Sequence, residues 1–410
     1  MNNNDFIYLC EEKLKEKFKT VDEISYFNQV KVLNAFKENR VALRHFNGTT
    51  GYGYDDEGRD CLGKLYSEVF GTESGIVSPH LLSGTHALTV ALFGLLRPGE
   101  ILFCISDMPY DTLRGVIYGE GNGSLKDFGI NFEYVGLLDD GKFDYEEIKS
   151  RYALLKDKVK VVYIQRSRGY ELRDAFSCVE IEKVCAFIRS LGFDGCIFVD
   201  NCYGEFVEKK EPSEVGADVV VGSLIKNAGG GLAQNGGYIC GKEKYIEQIG
   251  KRLTAPSLGL EVGSFAVGYQ YLYQGLFMAP HTVAQAIKTS LLIGQAMSEL
   301  GYKNYPSLDK TPYDITRAIE FGDADSMINF IREVQYASPI DSFVTCEPWD
   351  MPGYDDKIIM AAGTFVSGAS IELSADGPVK PPYVAYFQGG LTYEHGKYAL
   401  ERILNKLRRL

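Results

Sequence analysis

The stretch ADVVVGSLIKNAGGG (residues 217–231) decides the predicted fold and directs the search for a site. Its first part, 217–221, is short and largely apolar, which is typical of a buried strand. The three glycines at its end predict an irregular, permissive loop. Lys226 lies between the two, at the mouth of the predicted strand. Such a lysine is a candidate for an amine that loses its proton and attacks a carbonyl, because desolvation disfavours the ammonium form.

An acidic residue occupies the matching place after another predicted strand. The apolar run 196–199 ends at Asp200, and in open sheets of this type ligands bind beyond the carboxyl ends of the strands. A lysine and a carboxylate at neighbouring strand ends are what pyridoxal phosphate requires: a Schiff-base partner for its aldehyde and an anion for its ring nitrogen. The competing interpretations are an N-cap role for Asp200 and a surface position for Lys226 whose stem covers apolar atoms.

Helical and strand-like segments alternate through the middle of the chain. Helices are predicted near 60–70, 84–96 and 179–191, and strands near 100–105, 159–164, 196–199, 218–221 and 237–240. This alternation predicts an α/β fold whose large sheet is mostly parallel and carries helices on both faces. Outside this region we predict helices at 5–19, 22–40, 280–300 and 393–410, a loop at 47–54, and strands at 357–371 and 383–387.

The predicted elements divide the chain into three parts. These are an N-terminal helical arm (1–50), a large cofactor-binding domain (51–290) and a smaller α+β C-terminal domain (291–410). A chain of 410 residues is too long for one small core, which favours a division of this kind.

Composition and charge disfavour several classes of protein. The net charge of −12 disfavours binding to nucleic acid. No apolar stretch approaches the roughly 20 residues of a membrane helix, and the N-terminus lacks the features of a signal peptide, so we expect a cytoplasmic protein. The nine cysteines include no CxxC pair and the five histidines no i, i+4 pair, so we expect no metal site.

A phosphate site is predicted where Ser83-Gly84-Thr85-His86 opens an apolar helix. A helix start offers unpaired N–H groups and a partial positive charge, both of which suit a phosphate. Gly84 allows close approach of the backbone, and the hydroxyl of Ser83 or Thr85 can add a hydrogen bond. Ser223 can contact the same phosphate from the other side. The competing interpretations are an ordinary N-cap for Ser83 or Thr85 and a loop serine bonded to the local backbone for Ser223.

Tyr110 is a candidate for the wall of the same site. It follows the predicted strand 100–105, and an aromatic ring in this place can lie flat on a pyridine ring. Because the chain has 27 tyrosines, this position alone does not distinguish a functional tyrosine from a structural one.

Four motifs carry a resemblance to a known family. They are GYDDEGRD (53–60), SGTH (83–86), QRSRGY (165–170) and QGGLTYEH (388–395). With Tyr110, Asp200 and Lys226, they resemble the fold type I, aspartate-aminotransferase-like pyridoxal-phosphate enzymes. Within these, the chain looks most like the cystathionine lyase and methionine γ-lyase branch, and like its bacterial subgroup named for aluminium resistance. The resemblance spans nearly the whole chain.

The resemblance implies a role for each matching residue. Lys226 would form the Schiff base, Asp200 would pair with the ring nitrogen, and Tyr110 would stack on the ring. The implied phosphate ligands are Gly84, Thr85 and Ser223.

The resemblance also implies a homodimer or homotetramer in which two subunits share each site. Tyr52 or Tyr54, together with Arg59, would reach the phosphate of the neighbouring subunit. From the residues alone, this stretch is only a glycine-rich loop.

The chain departs from the related enzymes at the substrate carboxylate. Transsulfuration enzymes carry an arginine for it in the small domain. In this chain the segment 377–382 offers only Lys380, and a lysine lacks the bidentate fork of arginine. Arg166 or Arg168 are candidates for this role, with a structural ion pair as the alternative. His86 can contact the cofactor or serve as a helix-start histidine that bonds to the backbone.

The implied activity is a carbon–sulfur lyase that acts on a sulfur-containing L-amino acid such as cystathionine or methionine. The freed Lys226 would remove the α-proton, with its pKa lowered by burial, and a thiol would leave from the β- or γ-carbon. Three alternatives stay open. They are an aminotransferase, racemase or decarboxylase on the same scaffold; a phosphate or nucleotide binder that uses residues 229–231 and the Ser83 loop; and a catalytically silent stress protein that retains the cofactor.

Overall fold

A computed structural model of the protein describes residues 2–351 and 356–407. Its helices are α1 (Asn3–Glu38), α2 (Glu57–Val69), α3 (Gly84–Leu95), α4 (Asp111–Tyr118), α5 (Tyr145–Leu155), α6 (Cys178–Ser190), α7 (Glu243–Leu253), α8 (Gln270–Glu299), α9 (Ala324–Ala337) and α10 (Tyr393–Leu407). Its strands are β1 (Ser74–Ser78), β2 (Ile101–Cys104), β3 (Asn131–Tyr134), β4 (Val159–Gln165), β5 (Cys196–Asp200), β6 (Val219–Ser223), β7 (Gly237–Gly241), β8 (Lys303–Tyr305), β9 (Thr316–Glu320), β10 (Ile358–Ala361), β11 (Ser374–Pro378) and β12 (Val384–Gln388).

The larger sheet has seven strands in the order β1-β7-β6-β5-β4-β2-β3. Strands β2 to β6 pair in parallel, and only β7 runs antiparallel to its neighbours. Every residue of β5 and β6 is buried, as expected for strands covered on both faces. The α/β prediction with a mostly parallel sheet is therefore confirmed. Because β5 and β6 are parallel neighbours, their carboxyl ends, at Asp200 and Ser223, lie at the same edge of the sheet.

A second, antiparallel sheet forms the C-terminal part of the fold. It has five strands in the order β10-β11-β12-β9-β8. Helix α9 packs against β10, β11 and β12, and α10 packs against α9. The long helix α8 contacts α1, α10 and the strands β8, β9 and β12, and so joins this part to the rest of the chain. The predicted boundary at 290 falls within α8, and the division into three parts stays a prediction.

Several predicted elements differ from the structure. The two predicted N-terminal helices are one helix, α1, because no glycine or proline interrupts the chain between them and Val21 packs into the core. The predicted strand 357–371 is short, since β10 ends at Ala361 and irregular chain follows. Helix α8 begins ten residues earlier than predicted and contains Pro280. The last predicted helix is confirmed as far as Leu407, and residues 408–410 lie outside the described part of the chain.

Over residues 2–351 and 356–407, no helix combines the length and the apolar character that a bilayer crossing requires.

Candidate active site

A cavity of about 670 Å³ lies between the edge of the large sheet and the antiparallel sheet. One wall comes from the ends of the parallel strands and the loops that follow them, and includes Asp200, Ser223 and Lys226. The opposite wall comes from the second sheet and includes Asp376 and Tyr386. The cavity therefore occupies the place where open α/β sheets bind their ligands.

Asp200 forms the floor of the cavity at the end of β5. Its side chain is buried, accepts a hydrogen bond from the Cys202 N–H (3.1 Å) and is 3.4 Å from the donating hydroxyl of Tyr163. Burial raises the pKa of the Asp200 carboxyl, while the charge of Lys226 lowers it. The two groups thus interact electrostatically across the same cavity, as expected for residues at adjacent strand ends.

Lys226 follows β6 and points its amine over an aromatic ring. The Nζ atom lies 4.1 Å from the centroid of the Tyr203 ring. Burial lowers the pKa of Lys226, but Cys202, Tyr203 and Tyr110 together raise it by more, so the pKa lies well above its ordinary value. Burial thus acts in the predicted direction, but the prediction that the pKa is lowered overall is wrong for the chain alone. Its error was to consider desolvation without the acidic hydroxyl and thiol groups that surround the amine.

The predicted phosphate ligands meet at the N-terminus of α3. The Oγ atom of Ser223 is buried and has no hydrogen-bond partner. A Cβ atom added at Gly84 would come within 3.3 Å of the Ser223 side chain, so the missing side chain keeps this corner open. The Ser83 hydroxyl accepts from the His86 N–H (3.1 Å) and serves as the N-cap. A buried hydroxyl without a partner beside a helix N-terminus fits an anion such as phosphate.

Tyr110 and Thr85 form a connected wall beside this corner. Their hydroxyl groups lie 3.0 Å apart, and the Tyr110 N–H donates to Oε1 of Gln165 (2.9 Å). Both residues line the cavity together with Asp200. These hydrogen bonds hold Tyr110 at the cavity wall, and the stacking of its ring on a planar ligand stays a prediction.

Four other predicted residues lie outside the cavity lining. His86 Nδ1 accepts from the Leu82 N–H (3.1 Å), so this side chain has the backbone-bonded structural role. Tyr52 and Tyr54 are exposed and their rings stack at 5.4 Å, while Arg59 donates to the Gly53 carbonyl (2.9 Å). One chain does not test a role at a neighbouring subunit's site, and that role stays a prediction.

The comparisons with known proteins agree with this geometry. A sequence model described as methionine gamma-lyase matches residues 4–408. The chain belongs to the methionine gamma-lyase family. A Bacillus subtilis protein named uncharacterized protein YnbB is 50% identical over 385 residues, which are 93% of this chain and 91% of that protein. The L-methionine gamma-lyase of Pseudomonas putida is 25% identical over 201 residues, or 48% of this chain and 45% of that one.

Solved structures extend the family assignment. One from Clostridium novyi, named a carbon-sulfur lyase involved in aluminum resistance, has a TM-score of 0.94 and 45% identity, and the match covers 98% of this chain and 95% of that one. A pyridoxal-5'-phosphate dependent protein from Escherichia coli, YhfS, has a TM-score of 0.63 at 16% identity, with 94% and 96% of the chains covered. The fold is therefore that of the fold type I enzymes. The relatives that bear activity names indicate a protein like the carbon–sulfur lyases.

The two candidate arginines of this family member have different surroundings. Arg166 is fully buried, lies outside the cavity lining and forms ion pairs with Glu208 (2.6 Å) and Glu211 (3.6 Å). Arg168 lines the cavity, donates to the Tyr305 carbonyl (2.7 Å), pairs with the buried Asp314 at 3.9 Å and keeps a buried Nε without a hydrogen-bond partner. Both arginines therefore have a buried acidic partner, as in the alternative interpretation, but only Arg168 lines the cavity.

Lys380 also reaches the cavity but is engaged elsewhere. Its Nζ lies 2.5 Å from Oδ2 of Asp356, and more than half of its side chain is exposed. An exposed ammonium with a carboxylate partner at 2.5 Å is a poorer ligand for a second carboxylate than a buried guanidinium that keeps one N–H without a hydrogen-bond partner.

Replacing Arg166 by methionine is expected to destabilise the protein by about 3–5 kcal/mol, because the change leaves Glu208 and Glu211 without their buried partner. Urea unfolding measures this effect. Arg151→Met is the control, since Arg151 pairs with Glu133 at 2.8 Å on the surface and its loss should cost less than about 1 kcal/mol. Equal stability losses for the two variants would contradict the assignment of a buried ion-pair role to Arg166.

The glycines after Lys226 have a packing role. A Cβ atom at Gly230 would lie 2.2 Å from the Gly275 carbonyl of α8, and one at Gly231 would lie 2.4 Å from Leu391. Both residues have positive φ angles and lie outside the cavity lining. They allow the lysine loop to approach α8 and Leu391 closely. Their position away from the cavity disfavours a phosphate or nucleotide site built on these glycines.

Sequence reasoning missed several cavity residues. Tyr203, below the amine of Lys226, has a φ angle of 72°, a left-handed conformation that is uncommon for a tyrosine. Asp376 and Tyr386 come from the second sheet. Tyr170 and Gln388 lie within the family motifs, but neither received a role from them. For Tyr203, its place three residues after Asp200 was the one available signal.

Proposed function

We propose that this protein is a pyridoxal-phosphate-dependent carbon–sulfur lyase. Its substrate is a sulfur-containing L-amino acid of the cystathionine or methionine type, which it cleaves by β- or γ-elimination. Lys226 is the covalent partner of the cofactor. The observation that carries the proposal is that Lys226 and Asp200 line one cavity beside the unpartnered hydroxyl of Ser223. The family assignment supports the same conclusion.

The residues present fit the cofactor. Ser223, Gly84 and Thr85 would hold its phosphate, Tyr110 would cover the ring, and Asp200 would pair with the ring nitrogen. When bound, pyridoxal phosphate supplies an aldehyde for an amine and a protonated ring that withdraws electrons from the substrate α-carbon. The buried Asp200 would keep the ring nitrogen protonated, because a carboxylate in a water-poor site favours a cation beside it.

Lys226 has a second task in this proposal. Once the substrate amine has taken its place, the released Nζ would accept the proton of the α-carbon. The centroid of the Tyr203 ring lies 4.1 Å from Nζ, and the ring would block movement of the amine away from the cavity. The Tyr110 hydroxyl is bonded to Thr85 and would lie near the reacting centre.

Arg168 would bind the substrate carboxylate. Changing Arg168 to lysine keeps the positive charge but removes the two parallel N–H donors of the guanidinium. A hydrogen bond to a charged group contributes ~1.5–3 kcal/mol. We therefore expect KM to rise and kcat/KM to fall about 10- to 100-fold. Steady-state kinetics with cystathionine and methionine measure this. The comparison variant is Lys380→Met, and a larger rise of KM in that variant than in Arg168→Lys would contradict the assignment.

We propose in addition that the enzyme is a homodimer or homotetramer. The exposed Tyr52–Tyr54 pair and Arg59 would then reach the cofactor phosphate of the adjacent subunit.

The direct test of the activity is incubation of the holoenzyme with cystathionine or methionine, followed by assays of thiol, ammonia and 2-oxo acid. Release of all three supports a lyase, whereas transfer of the amino group, racemisation or carbon dioxide release would contradict it.

A further inference from the structure

The aromatic ring of Tyr203 faces the amine of Lys226 from the turn that follows Asp200. Its centroid lies 4.1 Å from Nζ, within the range in which a ring face attracts a cation. The Tyr203 hydroxyl lies 3.5 Å from Oγ of Ser370, in the segment between β10 and β11. All these residues line the cavity, so Tyr203 is in contact with both the amine and the wall formed by the C-terminal part of the chain.

The turn that carries Tyr203 is held by hydrogen bonds in a conformation that is unfavourable for a tyrosine. The φ angle of 72° lies in the left-handed region, which costs energy for a residue with a bulky side chain. Arg166 donates to Oδ1 of Asn201 (2.8 Å) and to the Gly204 carbonyl (2.9 Å). The Ile315 N–H donates to the Tyr203 carbonyl (3.2 Å). The surroundings therefore keep the ring at the amine against the backbone preference of the residue.

Several ionisable groups near Lys226 are neutral at neutral pH. The groups that interact electrostatically with its amine are Asp200, Cys202, Tyr203, Glu205 and Tyr110. Burial raises the pKa of the Cys202 thiol and of the Tyr110 hydroxyl, so both keep their protons. Burial also raises the pKa of Glu205 to about 8, so this carboxyl is mostly protonated. In the proposed holoenzyme Asp200 would pair with the ring nitrogen of the cofactor. The Tyr203 ring, in contrast, attracts a cation without being ionised.

We propose that the ring of Tyr203 stabilises the protonated amine of Lys226, and so assists the step in which this amine takes the α-proton of the substrate. In that step the bond between the α-carbon and hydrogen breaks, its electron pair stays with the carbon, and the proton forms a new bond at Nζ. A higher proton affinity of the base makes this transfer more favourable. The role in proton transfer rests on the proposed function, whereas the attraction between ring and amine is a property of the chain itself.

Competitive labelling of the full chain with a trace of acetic anhydride, without cofactor, tests the attraction between ring and amine. The reagent acylates an amine only in its neutral form. The pH at which labelling of Lys226 reaches half its limit therefore reports the proton affinity of Nζ and not its accessibility. Peptide mapping measures this midpoint, with Lys303, an exposed lysine that pairs with Glu320 at 3.2 Å, as the internal reference.

Variants of Tyr203 separate the ring from the hydroxyl. Tyr203→Leu removes the ring and is expected to lower the proton affinity of Nζ about three- to thirtyfold, seen as a midpoint at lower pH. Tyr203→Phe keeps the ring and should keep the wild-type midpoint. Tyr203→Asn is a second variant without the ring, and it keeps the test available if the leucine variant does not fold, because asparagine tolerates a positive φ angle.

Tyr245→Leu is the matched control for the loss of a ring beside a lysine. The Tyr245 ring lies 4.5 Å from Nζ of the exposed Lys244 on α7, so its removal should leave the Lys226 midpoint unchanged. In the holoenzyme, Tyr203→Leu should lower kcat for thiol release from cystathionine by about three- to thirtyfold, with a smaller change in KM, whereas Tyr245→Leu should not.

The outcomes separate this inference from the proposed function. An unchanged Lys226 midpoint in the variants without the ring overturns the inference. A midpoint that Tyr203→Phe lowers as far as Tyr203→Leu does also overturns it, because the hydroxyl and not the ring would then act on the amine. A shifted midpoint with an unchanged kcat contradicts the role in proton transfer. If the midpoints shift as expected but the wild-type holoenzyme releases no thiol, the lyase proposal fails and the attraction between ring and amine stands.

Discussion

Lys226→Ala is expected to abolish turnover and the yellow colour of the holoenzyme together. The change removes both the amine that would hold the cofactor and the base that would accept the α-proton, so kcat should fall by about 10⁴-fold or more. Absorbance spectra of the purified protein and thiol release measure the two effects on one sample.

Lys303→Ala is the control for the loss of a lysine. Its ammonium is exposed and pairs with Glu320 at 3.2 Å, away from the cavity lining, so both the colour and the activity should persist. If Lys226→Ala keeps absorbance that borohydride removes, another lysine holds the cofactor and the assignment is wrong.

Asp200→Asn should produce the second largest loss. Asparagine fills the same space at the end of β5 but has no charge to keep the ring nitrogen protonated. We expect kcat to fall about 10²- to 10³-fold, the effect typical of losing one preorganised electrostatic contact in a water-poor site. Steady-state kinetics with excess cofactor distinguish this fall in kcat from a loss of activity caused by weaker cofactor binding.

Tyr163→Phe is the matched comparison for Asp200. The Tyr163 hydroxyl is 3.4 Å from Oδ2 of Asp200, so its removal changes the surroundings of the carboxylate while the charge remains. We expect a loss below about tenfold. If Asp200→Asn also lowers kcat by less than about tenfold, a direct role of the Asp200 charge is contradicted.

The large sheet could be predicted because its strands are short, apolar and separated by helices. In β5 and β6 every residue is buried, so the runs stand out in the sequence without any alternation. Their carboxyl ends then bring Asp200 and Ser223 to one edge, which is a consequence of parallel pairing alone. The candidate site followed from the same rule.

The antiparallel sheet was harder to predict. Strands β8, β9 and β11 are three to five residues long, and loops of different lengths separate them, so their pairing depends on contacts distant in sequence. Asp376 belongs to this sheet, and nothing near it in the sequence indicates that it faces the cavity. The choice between Arg166 and Arg168 stayed open for a similar reason, because β4 ends at Gln165 and the irregular chain beyond it does not fix side-chain directions.

The electrostatics of Lys226 also depend on distant residues. Its strand-end position correctly suggested desolvation, which does lower the pKa. Tyr110 and Cys202, which follow two different strands, reverse the net direction. A pKa of this kind reflects the assembled cavity and not the local sequence.

Borohydride reduction of the holoenzyme, followed by peptide mapping, tests the central claim most directly. The account predicts one phosphopyridoxyl group per chain, attached to the peptide that contains Lys226. An unmodified Lys226 peptide with the group on another lysine, or no adduct on any peptide of a cofactor-treated sample, would contradict it.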